Sequence, residues 1–263
     1  MLVISIPSRG RVGNQITLHY LPLTWAEDIH FWCPKEEIEA HRRQPYAAKI
    51  GHYHSAPLGI AASRQAQVEW AYENGIEWLW FMDDDLKFLY RPPGANIAIT
   101  FPASIPHDDL MHQLGGRIVS FFDRPDLAIV GVSRVVWLHH PLLTETDTHV
   151  ILSCWAVRIP ILFKEGVRFD KFGPLFSIED YHVRLALAAN GYSALAITDF
   201  AWKSDGNTPG GCSLYRDAKA QTEYTNTLIA AYPDLVTLGK GKGNWNSVNP
   251  KVNWKKALKS HEM

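Results

Sequence analysis

The sequence has few cysteines, no long apolar run and almost no net charge. Its three cysteines, Cys33, Cys154 and Cys212, lie far apart and show no C-x-x-C spacing. This argues against a disulfide framework or a zinc site and favours a reducing cytoplasm. No apolar stretch approaches the roughly 18 residues of a membrane span, so we expect no membrane partner. The formal net charge of −1 provides no global attraction to nucleic acid.

The length and composition are those of an ordinary globular protein. The chain has 263 residues, of which 46% are hydrophobic and 20% charged. No shift in composition marks a linker before residue 236, so we predict one domain over residues 1–235 and a C-terminal extension over 236–263. From Ala201 onward nine Lys and Arg face five Asp and Glu, which makes the extension basic. The first predicted strand begins at Leu2, and we therefore expect no signal peptide.

The most informative stretch runs from Ile76 to Leu86, where large apolar residues lead into three consecutive carboxylates. The apolar part predicts a buried strand. The charges of Asp83, Asp84 and Asp85 cannot be buried unpaired, so they must face solvent, a cation or a ligand. Carboxylate oxygens suit Mg²⁺ or Mn²⁺. The alternative is a strand that ends in an acidic, solvated turn.

The first predicted strand, Leu2 to Ile6, ends in the run PSRGR of Pro7 to Arg11. Proline and glycine stop the strand, and two arginines with the backbone N–H groups around them form a loop suited to anions. At the start of an α/β sheet, such a loop is where nucleotides bind. The alternative is a solvated turn with surface arginines.

Two predicted helices accompany these motifs. The first begins near Ala61, with a C-terminal stop at Asn74 and Gly75, and leads into the strand that carries the three aspartates, which makes a strand–loop–helix–strand unit of an α/β fold. The second begins near Glu179 and Asp180. Ser177 is a good N-cap residue, with Asp180 three residues later in the capping-box position. The structural alternative for Asp180 is therefore a carboxylate satisfied at the start of its own helix.

Taken in order, these pieces resemble the GT-A glycosyltransferases. In particular they resemble the phage TET/JBP-associated glycosyltransferases, relatives of the base J glucosyltransferase. The resemblance covers about residues 1–200 and is carried by Pro7–Arg11, the spacing from Gly59 to Arg64, Asp83–Asp85, and Glu179 with Asp180. It implies a Rossmann-like GT-A domain with a mixed, mostly parallel sheet flanked by helices.

The resemblance also implies roles for donor-binding residues. The middle or last aspartate of the motif, Asp84 or Asp85, would bind the metal, with Asp85 the first choice, and Asp83 would face the nucleotide ribose or bind the metal. Arg64 would lie near the donor sugar or its phosphates. The remaining residues expected around the nucleotide and its diphosphate are Pro7, Ser8, Arg9, Arg11 and Asp84.

A second set of roles concerns the acceptor and a further metal ligand. In inverting members a carboxylate at the Glu-Asp position acts as general base, for which we favour Asp180, with Glu179 second. Many GT-A enzymes supply another metal ligand, often His, after the last strand. Here Asp205 is the candidate, or Lys203 contacts the phosphate directly.

The chemistry agrees with these residue types. A leaving nucleoside diphosphate concentrates negative charge, which a divalent cation and arginines stabilise, and a hydroxyl acceptor needs a base within about 3 Å. We therefore predict a hexosyl- or pentosyltransferase that depends on Mn²⁺ or Mg²⁺ and inverts the anomeric centre, with a retaining mechanism as the alternative. Its donor would be a nucleotide-sugar, with a UDP-sugar favoured.

The acceptor that the resemblance implies is a hydroxyl of a 5-hydroxymethylpyrimidine, such as 5-hydroxymethylcytosine, in DNA. The basic C-terminal part, in which Trp245 and Trp254 could stack on bases, agrees with a DNA acceptor. The alternative for these two residues is a solvated tail in which the tryptophans are packed anchors. Alternatives are a glycan, a lipid-linked sugar or a protein hydroxyl. An alternative of another class is a non-catalytic module that binds nucleic acid. No protein partner is inferred, and for a phage protein we expect the host cytoplasm.

Overall fold

The computed structural model describes residues 2–92, 95, 99–102, 104–134, 145–147, 151–204, 210–240 and 248–259. The strands in chain order are β1 Leu2–Pro7, β2 Ile29–Cys33, β3 His52–Ser55, β4 Trp78–Met82, β5 Lys87–Tyr90, β6 Ile99–Thr100, β7 Leu127–Arg134, β8 Glu145–Asp147, β9 Cys154–Arg158, β10 Ser193–Lys203, β11 Val236–Lys240 and β12 Val248–Val252. The helices are α1 Ile16–Tyr20, α2 Ile38–Arg42, α3 Ile60–Glu73, α4 His107–Val119, α5 Ile159–Lys164, α6 Glu179–Ala189, α7 Ala218–Ala231 and α8 Trp254–Lys259.

In the main sheet the strands stand in the order β3-β2-β1-β4-β9-β7-β10-β5-β6, with β8 paired to β10. Strands β3, β2, β1 and β4 run parallel to one another. Strand β9 is antiparallel and separates β4 from β7, and β7 and β10 are again parallel. The expected single α/β domain with a mixed sheet flanked by helices is confirmed.

The predicted strand before the three aspartates is β4, and all five of its residues are buried. Trp78, Trp80 and Met82 pack into the apolar cluster on one face of the sheet. Leu79 and Phe81 pack into the cluster on the other face. Because the sheet is covered on both faces, its central strand is apolar at every position instead of alternating. This explains the continuous apolar run in the sequence.

The start of α6 differs from the sequence-based hypothesis. The helix begins at Glu179, and its N-cap residue is Ile178, which makes no capping hydrogen bond through its side chain. The Ser177 hydroxyl is buried and has no hydrogen-bond partner in the described part of the chain. The capping box predicted for Ser177 is therefore wrong. Phe176 and Ile178 on either side are buried in an apolar cluster, which holds this segment in the core.

The segment predicted as a basic extension forms a β-hairpin of β11 and β12 followed by α8. Val236 and Ala257 are buried in one cluster with Leu228 of α7 and Ala61 of α3. The Arg184 guanidinium lies over the Trp254 ring, 5.2 Å from the ring centre. Trp245 lies outside the described residues. The domain boundary at residue 236 stays a prediction. None of the helices in the described ranges has the length and apolar character that crossing a membrane requires.

Candidate active site

A cleft of about 450 Å³ opens where β1 and β4 end at the same edge of the sheet. Parallel strands bring their carboxyl ends together, which is where α/β proteins place their ligands. Ten of the predicted site residues line this cleft: Pro7, Ser8, Arg9, Arg11, Arg64, Asp83, Asp84, Asp85, Glu179 and Asp180. Asp205 lies outside the described residues. Lys203 is at the end of β10, opposite Lys87 of β5, and is not part of the described lining.

Asp84 fastens the loop after β1 to the end of β4. Its carboxylate accepts hydrogen bonds from the Ser8 hydroxyl, at 2.6 Å, and from Arg11. Gln15 donates to the Ser8 oxygen at 2.7 Å and supports the same arrangement. Burial raises the pKa of Asp84, and the charge of Arg11 opposes this. With its oxygens turned to this loop, Asp84 is suited to hold the cleft together.

Asp83 and Asp85 remain more open, with side chains 31% and 16% exposed. The pKa of Asp85 is raised to about 6, first by burial and then by the charges of Asp83 and Asp84. Arg11 opposes this rise from 3.4 Å. A second cation would relieve the remaining repulsion, and carboxylate oxygens are ligands that Mg²⁺ and Mn²⁺ accept.

The described carboxylates therefore have suitable ligand atoms for a metal ion but do not form a complete coordination shell. Within the described ranges no group of three or more His, Cys, Asp or Glu side chains is arranged to hold a metal. Asp83 and Asp85 would supply protein oxygens, and Mg²⁺ commonly takes its other ligands from water and substrate phosphates. The residues present fit such a shared site.

Arg64, on the second turn of α3, joins the two acidic parts of the cleft. It donates to the Asp83 carboxylate at 3.0 Å and to the Glu179 carboxylate at 2.6 Å. Burial acts to lower the pKa of Arg64, but Glu179 and Asp83 together raise it above its usual value. The guanidinium also lies 5.5 Å from the centre of the Phe81 ring, on β4.

Glu179 and Asp180, adjacent in the sequence, meet different surroundings. Glu179 is 2% exposed, and burial raises its pKa to about 7 although Arg64 opposes the rise. Asp180 accepts a hydrogen bond from the Tyr181 amide at 2.9 Å and one from Arg184 at 3.3 Å. Burial therefore favours the protonated form of Glu179, whereas both oxygens of Asp180 are engaged within its own helix.

Residues 210–216, for which the sequence predicted no role, form a loop that lines one side of the cleft. Gly211 donates its amide hydrogen to the Arg9 carbonyl at 2.8 Å. The Tyr215 hydroxyl accepts a hydrogen bond from the Ile60 amide at 2.9 Å. A Cβ on Gly210 would lie 2.7 Å from the Arg9 carbonyl oxygen, so this approach needs a glycine. The glycine pair in the sequence was the available signal.

Arg134 and Trp202 also line the cleft and were not predicted. Arg134 is the last residue of β7, and its guanidinium lies 5.6 Å from the centre of the Trp202 ring. Trp202 is fixed by a 3.0 Å hydrogen bond from its indole N–H to the Val132 carbonyl. The sequence signal for Arg134 was a charged residue at the end of a buried strand. The same kind of signal identified the three aspartates.

Comparison with known proteins identifies the type of fold. No protein-family model matches the chain, and no curated protein matches it. Among solved structures, GalNAc-T7 with UDP, GalNAc and Mn²⁺ superposes with a TM-score of 0.53 at 9% identity, over 89% of this chain and 50% of that one. The chain has a GT-A-type fold. It spans about half the length of the GalNAc-T7 chain.

A second match is a CMP:2-keto-3-deoxy-manno-octonic acid synthetase complexed with CTP. Its TM-score is 0.41 at 13% identity, over 88% of this chain and 99% of that one, and at that score it carries no argument about this chain. These matches lend no support to the narrower resemblance to the phage TET/JBP-associated glycosyltransferases.

Proposed function

We propose that this GT-A-type protein is a metal-dependent glycosyltransferase that moves a sugar from a nucleotide-sugar to a hydroxyl group. The observation that supports this most is the meeting of two motifs in one cleft. The arginine loop after β1 and the aspartates after β4 line the same space at the carboxyl edge of the sheet. GalNAc-T7, whose fold is similar, was solved with UDP and Mn²⁺.

The donor end of the cleft is suited to a nucleoside diphosphate. Asp83 and Asp85 would hold the divalent cation, which neutralises the charge that develops on the leaving diphosphate. Arg9 and Arg11 lie on the loop facing them and would stabilise the same developing charge through their guanidinium groups. Arg11 already contacts the Asp84 and Asp85 carboxylates, so it is positioned beside the expected phosphates.

For the proton of the acceptor hydroxyl, Glu179 is favoured over Asp180, because both oxygens of Asp180 already accept hydrogen bonds from its own helix. A general base is most effective when its pKa lies near the working pH, and burial brings the pKa of Glu179 to about 7. Glu179 would take the proton as the hydroxyl oxygen attacks the anomeric carbon and the bond to the diphosphate breaks. A single displacement of this kind inverts the anomeric centre. Asp180 would orient neighbouring groups through Arg184.

A thermal-shift experiment tests the donor assignment. UDP, GDP and several nucleotide-sugars are added with and without Mn²⁺ to the wild type, Asp85→Asn and Asp123→Asn. Asp123 is exposed and outside the cleft lining, so it serves as a matched control. We expect a stabilisation that requires nucleotide and Mn²⁺ together and that only Asp85→Asn loses. No shift with any nucleotide would contradict the proposal and favour the non-catalytic module.

The acceptor proposed from the family resemblance is a 5-hydroxymethylpyrimidine in DNA. Transfer from a labelled donor is measured on hydroxymethylated and unmodified duplexes of one sequence, and on glycan, lipid-linked and peptide hydroxyls. A DNA acceptor predicts label only in the hydroxymethylated duplex. It also predicts weaker binding and a flatter salt dependence when the exposed Lys255 and Lys256 are changed to Glu. Transfer to another class of hydroxyl alone would exclude DNA as the acceptor.

A further inference from the structure

We propose that Arg64 is a positioning residue that couples the donor end of the cleft to the acceptor end, and not a group that binds the donor itself. The proposal rests on the proposed transferase function. Its basis is the bridge in which one guanidinium contacts Asp83, after β4, and Glu179, at the start of α6. These carboxylates are the ones expected to act on the metal–diphosphate and on the acceptor hydroxyl.

Burial limits what else Arg64 can do. Its side chain is 6% exposed, so little of its surface can meet a donor in the cleft. Its Nη1 donates to Glu179 and its Nη2 to Asp83. An arginine does not lose its proton under such conditions, so a permanent positive charge stands between the two carboxylates. Glu179 therefore keeps a fixed orientation and a partner for its negative charge.

The helix that carries Arg64 is itself held in place from several sides. Gln67 of α3 accepts a hydrogen bond from the Ser5 hydroxyl of β1 at 2.7 Å. Gln65 accepts one from the Phe169 amide at 2.9 Å. Residues on either side of Arg64 thus fasten α3 to the sheet and to the segment before α6. The bridge has a rigid base, as precise placement of reacting groups requires.

The planar fork of arginine is needed because the two carboxylates are on different elements. A lysine carries the same charge on a single nitrogen and cannot reproduce two directed contacts from two nitrogens. Because Arg64→Lys keeps a positive charge beside Asp83, we expect the binding of UDP with Mn²⁺ to stay within about twofold. The kcat of this variant should fall about 100-fold, the loss typical of a misplaced group. Arg64→Gln should lower kcat at least as far.

A double-mutant cycle separates this role from direct donor binding. Glu179→Gln, Arg64→Gln and the double variant are compared for kcat, KM of the nucleotide-sugar, Kd of UDP with Mn²⁺, and melting temperature. If Arg64 acts through Glu179, the double variant has a kcat within about threefold of Glu179→Gln alone, since groups that act as a unit are not additive. If Arg64 binds the donor, the losses multiply and the Kd of UDP rises.

Arg168 provides a matched control. It also bridges two carboxylates, Asp170 at 2.9 Å and Glu69 at 3.1 Å, but it is half exposed and outside the cleft lining. Arg168→Lys and Arg168→Gln should leave kcat and KM unchanged. If the wild type is active and Arg64→Lys is fully active as well, the inference about Arg64 is overturned while the proposed function stands. The same holds if the kcat losses of the two single variants multiply in the double variant. A wild type that neither turns over nor binds nucleotide would overturn the proposed function and this inference with it.

Discussion

Gly59, a buried residue in the lining of the cleft, allows a direct prediction from backbone geometry. It has φ of +97° and ψ of 143° immediately before α3, a combination that is essentially confined to glycine. A Cβ at this position would lie 2.1 Å from the Pro174 carbonyl oxygen, 2.6 Å from the Pro174 carbonyl carbon and 3.0 Å from Leu175 Cδ2. Gly59→Ala therefore meets both a conformational cost and a steric clash with backbone.

The two costs can be given separately. The strained backbone costs about 1–3 kcal/mol for a residue other than glycine. Displacing the backbone around Pro174 to admit a methyl group costs about 1–3 kcal/mol more. The middle of the combined range, about 4 kcal/mol, corresponds to a fall of roughly 12 °C in melting temperature for a protein of this size. Differential scanning calorimetry measures this directly.

Gly75 separates the two contributions. It also has positive φ, +66°, but a Cβ there would meet no atom within 4 Å. Gly75→Ala should lower the melting temperature by only about 4 °C, from conformational strain of about 1–2 kcal/mol. If Gly59→Ala melted no lower than Gly75→Ala, the close approach to Pro174 would not carry the energy ascribed to it. Turnover should also fall in Gly59→Ala alone, since a shift of α3 moves Arg64.

Three further substitutions test charge and backbone elsewhere, each by thermal or urea unfolding. Asp85→Asn should melt about 4 °C higher than the wild type near pH 8, because the pKa of Asp85 is about 6. As the pH rises from about 4 through 6, ionisation of Asp85 lowers the free energy of unfolding of the wild type by up to about 3 kcal/mol. The gain in the variant is smaller than this, because Asp85→Asn loses the contact with Arg11. His30→Gln should reduce sensitivity to acid. Burial and the neighbouring His52 and His54 lower the pKa of His30 to about 3, so the unfolded chain takes the proton first. As the pH falls from about 6.5 to 4.5, the free energy of unfolding of the wild type therefore decreases by roughly 2 kcal/mol, a loss that the variant does not share. Gly116→Ala, inside α4, where a Cβ meets no atom within 4 Å, should add about 0.5–1 kcal/mol.

Each of these predictions has a result that contradicts it. An Asp85→Asn variant that melted below the wild type near pH 8 would show that the carboxylate is stabilised by its contacts, against the raised pKa. If His30→Gln and the wild type lost the same stability in acid, the group responsible for the acid sensitivity would not be His30. A destabilised Gly116→Ala would mean that the space beside α4 is occupied.

The sequence by itself determined the elements around the cleft, because their signals are local. The continuous apolar run before Asp83 can be buried only in a covered central strand, and it became β4. The strand ending at Pro7 and the helix after Gly59 were likewise predictable, since proline, glycine and apolar periodicity act on neighbouring residues. That all of these would meet at one edge followed from the parallel arrangement of an α/β sheet.

Only the tertiary structure distinguished residues that look alike in the sequence. Asp84 and Asp85 are adjacent carboxylates that both line the cleft, yet Asp84 is held by hydrogen bonds from Ser8 and Arg11 while Asp85 is the more exposed of the two. Glu179 and Asp180 differ because Arg64, 115 residues away, reaches Glu179 alone.

The same limit explains the predictions that failed or were missed. The capping box at Ser177 was suggested by the spacing to Asp180 and was overridden by burial of the flanking residues in the core. The Arg9–Gly211 contact joins loops some 200 residues apart. Periodicity and capping act within a few residues, whereas the partner that a side chain meets depends on how distant strands pair. Sequence could therefore locate the candidate site, and tertiary contacts assigned its members their roles.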